Sequence, residues 1–241
     1  MSNKTAAIIL GAGKGTRMNS DKPKVLMPVC GKPMINHIID TLETVPVDKI
    51  VTVISPEGQD VAAAVAPYET CVQSAQLGTG HAVNCAKNAL QNFEGTVFVV
   101  FGDTPLITAE TFRRAAQRVE DGFAVVVLGF KPKDAARYGR LVMNGAELER
   151  IVEYKDATEQ ERAINFCNSG VMAFDGRYLF DILAHIGNNN AAGEFYLTDA
   201  VAVARQMNLK CTAFEGNPQE VASANTLEEL ALLEEYYKKA I

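Results

Sequence analysis

Apolar runs of strand length recur along this chain, at Thr5–Leu10, Lys49–Ile54, Thr96–Phe101, Ala124–Phe130 and Phe166–Phe174. Each is close to continuously hydrophobic, as a strand covered on both faces requires. Between the earlier runs the apolar spacing changes to threes and fours. Ile35, Ile38, Ile39 and Leu42 make one such stripe, and Val61, Ala64 and Val65 a second. Phe112, Ala115, Ala116 and Val119, following Thr108, make a third. That is the period of helices with one buried face. Strand and helix in alternation imply right-handed crossovers and a largely parallel sheet with helices on both sides.

The second half departs from this rhythm. Gly139–Met143 and Leu148–Val152 flank Asn144-Gly145, which predicts an inserted β-hairpin with a type I′ turn. Residues 187–193 read as a surface loop ahead of a helix from about Tyr196 to Met207, and a further helical segment is expected near Gly80–Leu90. A last helix opens at Thr226. Thr226 and Glu229 have the spacing of a capping box, Leu227, Leu230 and Leu233 supply an apolar stripe, and Lys238 and Lys239 suit its end. The expected organisation is a domain over residues 1–225 and a closing helix over 226–241, with no linker, low-complexity segment or fixed-period repeat.

A chain of 241 residues with 48% apolar content fits one large α/β domain, or two small ones at most. Its net charge of −6 argues against a nucleic-acid partner, which needs a broad basic face. An anionic ligand must then meet a local cationic patch. Lys14, Arg17, Lys22 and Lys24, against the single acid Asp21, supply one. The five cysteines (Cys30, Cys71, Cys85, Cys167, Cys211) are odd in number and never in C-x-x-C spacing. They read as small core residues in a reducing compartment, not as a disulfide set or a zinc site. No signal peptide and no apolar run of spanning length is apparent, so a cytoplasmic protein without a membrane partner is expected.

The stretch Leu10-Gly-Ala-Gly-Lys-Gly-Thr-Arg-Met18 follows the first strand directly. Its glycines allow backbone N–H groups to approach a ligand, and its cations suit a polyphosphate. It is neither a P-loop, since the lysine precedes the last glycine, nor a dinucleotide fingerprint, since the spacing is G-x-G-x-G. A basic surface turn is the plain alternative. Ligands in parallel sheets sit outside the carboxyl ends of strands, where both this loop and Gly102-Asp103 fall. Asp103 suits Mg²⁺ held against phosphate oxygens, or else a simple Asx turn. The side-chain amide of Gln73 complements the uracil imide, and Gly78 would let a base or ribose lie against the backbone; a polar loop remains the alternative. His81 reads as a packed helix residue, and three histidines assemble no triad or zinc cluster. Glu153 and Asn168 suit a hydroxylated ligand or plain edge solvation, whereas Asp134 and Arg137 read as a solvated loop.

Taken as an ordered set, the motifs are more specific. Leu10–Met18 with Pro23-Lys24-Val25-Leu26 resembles the opening motif of sugar-1-phosphate nucleotidyltransferases. Gln76–Ala82, Gly102–Leu106, Tyr138-Gly139-Arg140, Ile151–Ala157, Asn168-Ser169-Gly170 and Asn190–Asp199 narrow the likeness. Together they resemble the uridylyltransferase domain of bifunctional N-acetylglucosamine-1-phosphate uridylyltransferase/glucosamine-1-phosphate acetyltransferases, over nearly the whole chain. The resemblance implies a Rossmann-like (GT-A-type) α/β fold, with a mixed, mostly parallel central sheet flanked by helices and an inserted β-hairpin. It implies an enzyme condensing UTP with N-acetylglucosamine 1-phosphate. Leu10, Gly11, Ala12, Gly13, Gln73, Gly78 and Thr79 would hold the uridine, and Phe101 and Gly102 would line the site. Arg17 and Lys24 would face the phosphates, and Asp103 with Asn225 would bind Mg²⁺. Gly139, Glu153, Asn168, Tyr196 and Thr198 would hold the N-acetylhexosamine.

Two residues depart from the family pattern, which usually has alanine at Gly11 and tyrosine at Phe101. The hexapeptide repeats of the family's acetyltransferase domain do not occur in this sequence, so the resemblance implies nothing about acetyl transfer or the trimerisation which that domain provides. The expected chemistry is a one-step displacement at the α-phosphorus of UTP with no covalent enzyme intermediate. Rival readings are uridylyl transfer to another sugar 1-phosphate (glucose, N-acetylgalactosamine or N-acetylmuramic acid), a cytidylyltransferase, and a sugar-nucleotide-binding module without turnover.

Overall fold

Thr5–Leu10 forms β1, buried along its whole length in a computed structural model that describes residues 4–13, 22–135 and 137–240. A two-stranded ribbon follows, β2 (Pro28–Val29) and β3 (Lys32–Pro33), and leads into α1 (Met34–Glu43). The chain continues through β4 (Lys49–Ile54), α2 (Gln59–Ala64), β5 (Glu69–Val72), α3 (Thr79–Asn84), β6 (Thr96–Phe101), α4 (Ala109–Glu120) and β7 (Val125–Phe130). The hairpin β8 (Arg140–Asn144) and β9 (Glu147–Val152) comes next, then α5 (Glu159–Arg162), β10 (Cys167–Asp175) and α6 (Gly176–Ala184). The last elements are α7 (Ala200–Gln206), β11 (Cys211–Glu215) and α8 (Leu227–Ala240).

The main sheet runs β11-β7-β10-β6-β1-β4-β5, with the hairpin attached through β8 to β10. β10 is antiparallel to both its neighbours and the other strands of that row are parallel, so the sheet is mixed and mostly parallel as expected. Alternate residues of one strand feed two cores. Ala6, Ile8, Val97, Val99, Val125 and Phe174 face α3, α6 and α7 on one side. Ala7, Ile9, Phe98, Val100 and Val126 face α1, α2 and α4 on the other. This double burial is why the strands read as unbroken apolar runs. Strand order reverses at β1, which has β4 on one side and β6 on the other, and such a switch point opens a crevice at the carboxyl ends.

A smaller cluster of Val29, Met34, Ala224 and Leu233 packs α8 onto the ribbon. The His37 and Tyr237 rings meet there edge to face at 4.5 Å. This packing carries residues 224 and 225 back to the first turns of the chain.

Several local expectations are corrected. The hairpin turn is Gly145-Ala146, and only Gly145 has positive φ (61°), which is the II′ pattern and not I′. Regular helix after Gly78 ends at Asn84, and residues beyond it continue as turns. At α8 the Glu229 N–H donates to Thr226 Oγ1, but the Glu229 carboxylate accepts from Asn225 N–H, so the capping box is not closed. Cys167 and Cys211 are buried, whereas Cys30 is exposed and is no core residue. Among the described residues no helix is long and apolar enough to cross a membrane.

Candidate active site

Leu10 and Phe101 are register partners, so the loops leaving β1 and β6 begin side by side. Backbone bonds from Gly11 N–H to Val53 O (2.8 Å) and Gly102 N–H to Leu10 O (2.9 Å) tie both loop starts to the sheet. A side chain at Gly102 would lie 2.9 Å from Val25, so the crossing demands glycine. Thr104 turns the chain by donating its N–H and Oγ1 to Phe101 O. Between them Asp103 meets Lys24, with Nζ to Oδ2 at 2.5 Å. The Asx turn weighed for Asp103 is thus replaced by an ion pair whose side chains are only 13% and 21% exposed. Lys24 opens a short 3₁₀ helix anchored by buried Val25, and its ammonium also donates to Asn225 Oδ1 at 2.9 Å.

Asp103 and Asn225 therefore aim two oxygens at one cation. A carboxylate and an amide oxygen are hard donors of the kind a divalent ion takes beside phosphate and water. Both oxygens converge on the Lys24 ammonium, and a pair of hard donors converging on one positive charge fits a divalent ion. Glu229, accepting from Asn225 N–H at 2.5 Å, places a negative charge at the start of α8, where the helix end alone would disfavour a cation. Among the described residues no cluster of three or more acidic, histidine or cysteine ligands exists, so the remaining ligands would come from substrate and solvent.

A cleft of about 290 Å³ opens here. It is lined by Leu10, Ala12, Gly13, Lys24, Phe101 and Asp103 from the ends of β1 and β6 and the short 3₁₀ helix, and by Gln73, Gly78 and Thr79 from the glutamine loop. Gln76 Nε2 donates to Ala12 O at 2.9 Å and ties the glutamine loop to the chain just after β1. Gln73, 5% exposed, directs Nε2 to Gly78 O (3.1 Å) and to His81 Nδ1 (3.2 Å). Gly78 has φ +111°, and a Cβ there would fall 2.6 Å from Phe195 O. Thr79 Oγ1 accepts from Leu197 N–H, and Gly80 N–H donates to Phe195 O, which joins the glutamine loop to the segment after the asparagine run.

A second cavity of about 490 Å³ shares Thr79 and Glu194 with the first and is lined further by Glu153, Tyr154 and Tyr196. Glu153 follows the last residue of β9 and accepts from Thr198 Oγ1 at 3.1 Å. Burial pushes the Glu153 carboxyl above its ordinary range, against the opposing pull of that hydrogen bond. Burial, with nearby acids, likewise raises the Tyr196 phenol and the Asp199 carboxyl. A Cβ on Gly139 would sit 3.5 Å from Glu153 Oε1 and 3.6 Å from Asn168 Cβ, and Asn168 N–H donates to Gly139 O at 2.9 Å. The Asn168 carboxamide itself accepts from Gly170 N–H, in a turn at the irregular part of β10.

Arg17 lies outside the described residues, with the rest of 14–21. Of the other residues expected at the site, Leu10, Ala12, Gly13, Lys24, Gln73, Gly78, Thr79, Phe101 and Asp103 line the first cavity, and Thr79, Glu153 and Tyr196 the second. Gly11, Gly102, Gly139, Asn168, Thr198 and Asn225 line neither and stand next to those residues in sequence or through the contacts above. Glu194, Arg137 and Lys155 line them without having been anticipated. Arg137, read as a solvated loop residue, is exposed and also lines the second cavity. Nothing in local spacing marks these three, because they are assembled by loops from distant parts of the chain.

A profile described as the MobA-like NTP transferase domain matches residues 7–235. The chain belongs to this family. Nucleotidyltransferases of this kind generally employ a divalent metal, in keeping with the paired oxygens of Asp103 and Asn225. The "Bifunctional protein GlmU" of Rhodospirillum rubrum is 54% identical over 96% of this chain and 52% of its own length. Those of Paramagnetospirillum magneticum and Roseobacter denitrificans are each 48% identical, over 97% and 98% of this chain and 52% and 53% of theirs. The chain thus spans about half the length of the curated relatives it matches. A crystal structure of UDP-glucose pyrophosphorylase complexed with UDP-glucose superposes with a TM-score of 0.75, covering 99% of this chain and 100% of that one at 16% identity. That likeness establishes the Rossmann-like nucleotidyltransferase fold.

Proposed function

We propose that the protein condenses UTP with N-acetylglucosamine 1-phosphate, giving UDP-N-acetylglucosamine and pyrophosphate. The observation that carries this reading is the common wall of the two cavities. Thr79 and Glu194 line both, so a nucleotide in the first and a hexosamine in the second would abut near Lys24 and Asp103. The relatives called GlmU, at up to 54% identity, support it.

In this reading Leu10, Gly11, Ala12, Gly13, Gln73, Gly78 and Thr79 hold the uridine, with Phe101 and Gly102 beneath. Gly139, Glu153, Asn168, Tyr196 and Thr198 hold the N-acetylated sugar. A phosphate oxygen of the sugar attacks the α-phosphorus of UTP, and pyrophosphate leaves from the opposite side. Such a reaction asks the protein chiefly for alignment and charge neutralisation, and no covalent enzyme intermediate is needed. Lys24 bridges the two anionic substrates, and Arg17 takes the charge that develops on pyrophosphate. Asp103 and Asn225 would hold Mg²⁺, which supplies neutralisation of phosphate charge. The catalytic unit is read as residues 1–225, with 226–241 as its closing helix. The cysteines among the described residues are free, which suits a cytoplasmic enzyme contributing to cell-wall biogenesis, without a nucleic-acid or membrane partner.

The test is pyrophosphate release by the purified chain across UTP and CTP and across several sugar 1-phosphates. UTP with N-acetylglucosamine 1-phosphate should exceed every other pair by at least about tenfold in kcat/KM. A faster reaction with glucose, N-acetylgalactosamine or N-acetylmuramic acid 1-phosphate would reassign the sugar. Binding of the UDP-sugar with no metal-dependent turnover would make the chain a binding module.

A further inference from the structure

We propose that His81 is a positioning residue for base selection, acting through Gln73. The inference rests on reading the first cavity as the seat of the nucleotide base. A carboxamide carries two N–H donors and one oxygen acceptor. Gln73 directs its nitrogen at two acceptors, Gly78 O at 3.1 Å and His81 Nδ1 at 3.2 Å. An amide nitrogen only donates, so Nδ1 accepts and the ring proton resides on Nε2. Flipping the amide would set its oxygen against the Gly78 carbonyl and the lone pair of Nδ1, so the orientation is fixed from two sides.

Both donors of Gln73 are then consumed inside the protein. No described group donates to Oε1, and the side chain lines the cleft while being 5% exposed overall. Only an acceptor faces the ligand. The amide is therefore not the side-by-side donor and acceptor that its chemistry alone suggests. It suits a pyrimidine whose N3 bears hydrogen, as uracil's does, and opposes one whose N3 is a lone pair, as cytosine's is. Gly78 cannot supply this control alone. One bond leaves the second N–H free to turn toward the cleft and meet the lone pair it should exclude.

The readout is calorimetric binding of UDP and CDP, together with kcat/KM for UTP and CTP. His81→Phe keeps a ring and removes the acceptor; His81→Asn can place Oδ1 where Nδ1 stands. His81→Phe should lower the UDP:CDP affinity ratio about tenfold, with the KM for the sugar phosphate unchanged, and His81→Asn should retain most of the ratio. Equal losses for both nucleotides, or like behaviour of the two variants, would overturn the proposal. Nitrogen-15 NMR of the unaltered protein gives a check that no variant's folding can spoil: His81 should carry its proton on Nε2, and a proton on Nδ1 would overturn the assignment. The affinity ratio is read without turnover. Selective UDP binding without catalysis would therefore count against the enzyme reading alone, and an active enzyme with an unshifted ratio against His81 alone.

Discussion

Lys24 Nζ stands 2.5 Å from Asp103 Oδ2, and the same ammonium donates to Asn225 Oδ1 at 2.9 Å. One cation thereby ties the loop after β6 to the residue that precedes α8. The pair is mostly shielded from water, where a charge-assisted hydrogen bond is stronger than at the surface. The same ammonium thus satisfies both oxygens suited to a metal, the carboxylate by an ion pair and the amide by a hydrogen bond.

Asp103→Asn should lower kcat by about a hundredfold or more, the scale at which loss of a charge-stabilising group in a transition state is felt. The fold should survive, because Lys24 retains Asn225 and the new amide keeps an oxygen toward it. Turnover and a thermal melt on one preparation check this. Near-normal kcat in the variant would remove Asp103 from the chemistry.

Chelation should abolish turnover and Mg²⁺ should restore it, yet the melting temperature of the substrate-free protein should stay within about 1 °C. The reason is that Lys24 already satisfies Asp103 and Asn225, so no buried charge is orphaned when metal is withdrawn. A loss of several degrees on chelation would mean that the resting protein depends on the metal for its fold.

Gly78→Ala should both destabilise the protein and raise the KM for UTP. Its φ of +111° is strained for any residue with a Cβ, and that Cβ would press on Phe195 O at 2.6 Å. A cost of about 2 kcal/mol is expected from such strain. Urea unfolding would report it, and a variant with parental stability would show that the loop relaxes freely.

How much of this was legible in the sequence follows from burial. β1, β4, β6 and β7 stand inside the sheet or beside covered neighbours, so their apolar runs announce them. β5 and β11 lie at the edges, where Glu69, Thr70, Thr212 and Glu215 interrupt the pattern, and they escaped. The ribbon of β2 and β3 is too short to show a period at all. Asp103 stood out because it follows the apolar run of β6, whereas Gln73 follows the unseen β5 and was singled out only by its amide and the glycines after it. The Lys24–Asn225 contact was not, since it depends on α8 folding back over Val29 and Met34. The His81–Gln73 bond was hidden for a similar reason: eight positions apart, the two meet only because the chain turns at Gly78.

Glu153→Gln separates binding from stability. Burial raises the Glu153 carboxyl, and Asp199 and Asp156 add to the rise while Thr198 opposes it. The folded chain then holds this proton at a pH where the unfolded chain has released it. The stabilising contribution is complete below the unfolded value and is lost as pH rises through the folded one. At neutral pH the buried carboxylate is therefore a cost to the fold, and glutamine, which keeps an oxygen for Thr198 Oγ1, removes that cost. The variant should melt higher than its parent at pH 7–8, with the difference closing as the pH falls to about 4. Activity should move the other way. A carboxylate accepts more strongly from sugar hydroxyls than an amide does, so the KM for the sugar phosphate should rise about tenfold. The parent should also lose kcat/KM for the sugar phosphate on the acid side, above the ordinary carboxylate range, and the variant should lack that limb. Asp199 is raised as well, by burial and Asp156, so Asp199→Asn is the control that apportions the limb between them. A limb that persists in Glu153→Gln and vanishes in Asp199→Asn would transfer the titration to Asp199 and leave Glu153 as a hydrogen-bond acceptor alone.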